Sequence, residues 1–63
     1  MNTDVVTPTK EAIEQIELAR VRCLVSARAF REDGNVSSAN GVLEVFTTLQ
    51  ECEMKMQRLL PES

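Results

Sequence analysis

The stretch Glu32-Asp33-Gly34-Asn35-Val36 decides how this chain folds. Gly34 is a natural left-handed residue just past a helix end, and Asn35 is a good cap for a helix starting at Val36. Upstream, no Gly or Pro interrupts residues 9–33. Thr7-Pro8 marks the start of that first helix: the Thr7 hydroxyl can cap, and proline at the first helical position loses an N–H that has no partner there anyway. Thr9 is an alternative cap. Glu11, Glu14 and Glu17 lie toward the positive end of the helix dipole, Arg28 and Arg31 toward the negative end. Downstream, the sequence predicts a second helix that runs to Leu60, with Pro61 just beyond. Its start is open: Asn40-Gly41 is also a turn signal, but Val36, Ala39, Leu43 and Phe46 keep helical spacing through it. The sequence therefore predicts helices over about residues 8–33 and 36–60 within one hairpin domain over 7–63, with 1–6 as a flexible lead.

The side chains around those helices say how they pack. At roughly 100° per residue, Ala12, Ile13, Ile16, Ala19, Cys23, Leu24, Ala27 and Phe30 share one broad face of the first helix. On the opposite side, Leu18, Val21, Val25 and Ala29 follow a second helical ridge. The second helix carries a single wide face of Ala39, Val42, Val45, Phe46, Leu49, Cys52, Met56, Leu59 and Leu60. Within it, Val45, Leu49, Cys52, Met56 and Leu59 form an a/d-like heptad run. A short turn at Gly34 makes the helices antiparallel, with opposed residue numbers summing to roughly 69. One helix–helix seam uses only a narrow strip from each partner, so this hairpin has apolar surface to spare. The expected fold is all-α: an antiparallel two-helix hairpin that dimerises into a four-helix bundle through Val45, Leu49, Cys52, Met56 and Leu59. The ridge Leu18–Val21–Val25–Ala29 is the candidate surface for a different protein.

Length supports the same conclusion. A chain of 63 residues builds one small domain, of a size that normally needs disulfides, a metal or oligomerisation. With no histidine, the two cysteines alone cannot complete a four-ligand site, so no metal is expected. Cys23 and Cys52 both fall on inward faces but about 10 Å out of register along the axis, so they do not bridge. Arg20 or Arg22 could stand beside a reactive thiol, but both cysteines are expected as buried, reduced and structural. No carboxylate pair shares a pocket, so acid–base catalysis has no support; no catalytic, cofactor-binding or metal-binding residue is assigned, and no enzyme is expected.

The net charge of −3 disfavours a polyanion partner. Arg22, Arg28 and Arg31 are the weak nucleic-acid candidates: they scatter around the helix and have no interleaved aromatics. Arg20 is the odd residue of the broad face, placed either to reach Glu53 or Glu17, to fix register, or to keep its head in water over a packed stem. The N-terminus has no basic segment followed by an apolar one, and no run approaches the length of a membrane span, so a cytoplasmic, reducing location is expected.

In length and layout the chain resembles the Rop family of small plasmid copy-number regulators, a helical hairpin that dimerises into a four-helix bundle. The resemblance rests on no shared motif. It implies the bundle, while the RNA binding of that family stays an alternative only. The expected function is a non-enzymatic interaction module, homodimeric, that binds and modulates a partner protein in the manner of an inhibitor, adaptor or chaperone. The alternative is a Rop-like homodimeric nucleic-acid-binding regulator.

Overall fold

A computed structural model describes residues 3–61, which form two helices packed against each other: α1, Val6–Glu32, and α2, Val36–Leu59. Helix α1 starts earlier than the Thr7-Pro8 signal. The Asp4 carboxylate accepts hydrogen bonds from the Val6 and Thr7 N–H groups at 3.0 and 3.2 Å, so the capping oxygen comes from upstream of both threonines. Thr9 lies inside the helix and donates its hydroxyl to the Val5 carbonyl. Pro8 still falls among the first N–H positions that lack an intrahelical acceptor, so its ring costs the helix nothing. The hydrogen bonds from Thr7 and Val6 favour the ionised form of Asp4 and hold its pKa below the ordinary aspartate value.

The connection is a Schellman turn. Asn35 N–H reaches back to the Phe30 carbonyl at 2.8 Å and Gly34 N–H to the Arg31 carbonyl at 3.0 Å. That geometry needs the left-handed φ of 79° at Gly34. Asn35 then opens α2, its side-chain oxygen accepting from Ser38 N–H at 3.1 Å. One residue thus ends the first helix and caps the second. Gly41 lies inside α2 with open space where a Cβ would project.

The seam runs along two ridges with seven-residue spacing, the pattern of a left-handed coiled pair. On α1 it comprises Val6, Ile13, Arg20 and Ala27; on α2, Ala39, Phe46, Glu53 and Leu60; all eight are buried or half-buried. Only Ile13, Ala27 and Ala39 are fully apolar buried residues among those described, and no large side chain is completely enclosed. The hairpin is consequently a rod of 55 × 15 × 14 Å with a radius of gyration of 15.3 Å, against about 11 Å for a compact domain of this length. Its surface of 5082 Å² exceeds by about 1,000 Å² the value typical of a compact monomer of its mass.

Four residues of the two wide faces lie outside the seam: Cys52 is exposed, and Leu24, Val45 and Leu59 are 47%, 52% and 65% exposed. A two-helix seam covers only the strip nearest the partner helix, so residues at the margins of a wide apolar face stay in solvent.

Candidate functional site

The middle of the seam is polar. Arg20 Nη1 donates to Glu53 Oε1 at 2.7 Å, and the guanidinium lies 5.1 Å from the centroid of the Phe46 ring. Glu53 is only 8% exposed, and its other oxygen accepts a long 3.5 Å bond from Gln57. Arg20 Nε is buried without a partner. Of the roles open to Arg20, the structure takes the reach to Glu53, not Glu17. The arginine spans from Phe46 to Glu53, one ridge position to the next, as the turn-derived register near Leu49 requires. Glu53 is buried, which a charged residue on a helical wheel does not suggest. The signal is in the sequence: Glu53 stands seven residues after Phe46 and fourteen after Ala39, on the seam ridge itself. The Glu53 carboxylate is thus clamped by the guanidinium on one oxygen and held loosely by Gln57 on the other.

Two apolar surfaces flank this seam. The larger is an open hollow of about 430 Å³ between the helices, lined by Gln15, Leu18, Ala19, Cys23, Val42 and Val45 among others. Its floor is made of short side chains, Ala19, Cys23 and Ser26 of α1 facing Val42 and Val45 of α2, which do not fill the space between the helices. Val45, Cys52 and Leu59 continue from the hollow along one edge of α2 at seven-residue spacing, all three exposed; Leu49 and Met56, half-buried, lie just inside them. The five residues expected at a dimer interface thus form one continuous strip.

The second surface is on the back of α1. Val21 and Val25 are 58% and 65% exposed, Leu18 and Ala29 are exposed, and Val21, Leu24, Val25 and Arg28 line a shallow hollow of about 190 Å³. Leu24, expected in the seam, adds to this ridge instead. Leu18 borders the larger hollow together with Val45, so the two surfaces adjoin at that point.

The three arginines singled out for nucleic acid do not converge. Arg22 lines the larger hollow, Arg28 the smaller one, and Arg31 ends α1 near the turn. Cys23 and Cys52 are both free thiols. No described helix is long and apolar enough to cross a membrane. The chain matches no protein-family model, no curated protein and no solved structure. The likeness to the Rop family therefore remains one of layout.

Proposed function

We propose that this chain is a non-enzymatic protein–protein interaction module whose hairpins self-associate into a four-helix bundle and bind a different protein on the back of α1. One observation carries this reading: among the described residues no large apolar side chain is completely enclosed, yet Leu18, Val21, Leu24, Val25, Val45 and Leu59 are left at least 43% exposed in contiguous strips. Scattered exposed aliphatics need no explanation, whereas continuous strips on a domain this small mark interfaces. Two hairpins each bring about 1,000 Å² of excess surface, and a stable interface buries about 1,600 Å² in total. The α2 strip with its hollow is the self-association surface; the Val21–Val25 ridge points the other way and stays free for the partner. A cytoplasmic setting is part of the proposal, since an exposed thiol such as Cys52 persists in a reducing compartment.

The test is solution mass by light scattering over a concentration series. Leu49→Glu should give monomers, while Val21→Glu should leave the dimer intact. Monomers from Val21→Glu would make the ridge part of the dimer core and remove the separate partner surface.

A further inference from the structure

The shape and charge of α2 say which way round a second copy must lie. Its turn-proximal half is concave: Val42 and Val45 border the 430 Å³ hollow whose opposite wall is Leu18, Ala19 and Cys23. In its far half Leu59 projects from the same edge at 65% exposure, with Met56 half-buried just inside it. Stacked parallel, two copies would set hollow on hollow and knob on knob. Stacked antiparallel, each copy's knobs meet the other's hollow. A cavity of about 150 Å³ already admits a benzene-sized group, so the hollow has room for a methionine and a leucine side chain.

The charges beside the strip agree. Glu44, Glu51 and Arg58 each immediately precede a strip residue, Lys55 lies among them, and all four are exposed. The side nearer the turn is acidic and the far side basic. A parallel pairing, whose dyad runs along the helix axes, carries this flank to the opposite side of the seam in the second copy, so these four charges do not face one another. An antiparallel pairing brings Glu44 level with Lys55 and Arg58 of the second copy. Glu51 sits near the midpoint and approaches its own copy in the antiparallel arrangement, where it is exposed to water and set against two Glu44 pairings with basic residues.

Resting on the self-association reading above, we infer that a second copy of this chain packs with its α2 antiparallel to the first, about a dyad crossing α2 near Gln50. Met56 and Leu59 of each copy fill the hollow beside Val42 and Val45 of the other. The register that uses the whole run layers Val42 on Leu59, Val45 on Met56 and Leu49 on Cys52, each twice by symmetry. The Gly34 turns then stand at opposite ends of the bundle.

Orientation is read by cross-linking in a Cys23→Ser/Cys52→Ser background, whose dimeric mass is first checked by light scattering. In the antiparallel bundle, residue 45 of one copy lies about 16 Å along the axis from residue 45 of the other. Val45→Cys alone should therefore give no covalent dimer with a short bis-maleimide, whereas Val45→Cys/Met56→Cys should give one efficiently. Cross-linking by Val45→Cys alone as well as by the pair would overturn the antiparallel arrangement.

A second series keeps the native cysteines and core. Glu44→Arg should weaken dimerisation about tenfold at low salt by facing two basic residues, and Glu44→Arg/Lys55→Glu/Arg58→Glu should restore it. No change on Glu44→Arg would contradict the inference, because a parallel pairing leaves Glu44 facing none of these charges. A parent chain that stays monomeric throughout overturns the self-association reading itself, a result distinct from either of these.

Discussion

Breaking the Arg20–Glu53 pair from each side should have unequal effects, and the inequality follows from exposure. Arg20→Met keeps an aliphatic stem beside Phe46 and removes the guanidinium. Glu53, 8% exposed, is then left with Gln57 at 3.5 Å as its one remaining partner. Breaking a fully buried pair costs about 3–5 kcal/mol, and losing a hydrogen bond to a charged group costs about 1.5–3 kcal/mol. The Arg20 side chain is 24% exposed, so water enters once it is truncated, and the lower range applies: about 2 kcal/mol. Glu53→Leu leaves the longer, wetter partner, which can turn its head to solvent, and should cost about 1 kcal/mol. Arg20→Met/Glu53→Leu leaves neither charge unpaired and should lie within about 1 kcal/mol of the parent, giving a coupling of about 2 kcal/mol. The assay is urea unfolding followed by far-UV circular dichroism for the four proteins at one chain concentration, because association contributes to apparent stability. Additive effects with Arg20→Met costing under about 0.5 kcal/mol would mean the pair behaves as a solvated surface pair, and the seam argument would fail.

Backbone and capping predictions are read from the same unfolding curves. Gly41→Ala should raise stability by about 0.5–1 kcal/mol, since Gly41 lies in α2 with nothing within 4 Å of a new Cβ; a loss would show that something packs there. Gly34→Ala should lower stability by about 1 kcal/mol or more through its φ of 79°, and a neutral result would argue against the Schellman turn. Asn35→Ala should cost about 1 kcal/mol, and Asn35→Asp very little, because either side chain can accept from Ser38 N–H. Asp4 has its pKa lowered from 3.8 by accepting from the first N–H groups of α1. Its capping contribution is accordingly present above the unfolded-state value and is lost as pH falls through the lower folded value. Helix content measured by circular dichroism should drop in that acid window, and the part due to this group should vanish in Asp4→Ala.

The two helices and their turn are legible in the sequence because each signal is local: an uninterrupted apolar period, a glycine with no steric objection to the left-handed region, an asparagine with a reachable N–H. The start of α1 is less so. Asp4 precedes two valines, which are poor helix formers, and Thr7-Pro8 offers a stronger local signal two residues on, yet the carboxylate reaches the first N–H groups first. The inner surface is harder still. A helical wheel assigns Leu24, Cys52 and Leu59 to wide apolar faces, but which part of a face is covered depends on the seam direction, and the seven-residue ridges through Arg20 and Glu53 set that. Treating those two charges as interruptions of the face hides the fact that they mark its centre. The hollow beside Val42 and Val45 was invisible for a related reason. It arises from small residues on one helix facing short ones on the other, a matter of summed volumes across the seam and not of any pattern along one helix.

The central claim, that the exposed strip Val45–Leu49–Cys52–Met56–Leu59 is the meeting surface of two copies, is tested most directly by the solution mass of the unmodified chain beside Leu49→Glu. The account predicts twice the 7.1 kDa chain mass for the parent and a single chain mass for the variant. A folded parent that holds the mass of one chain at every concentration would contradict it.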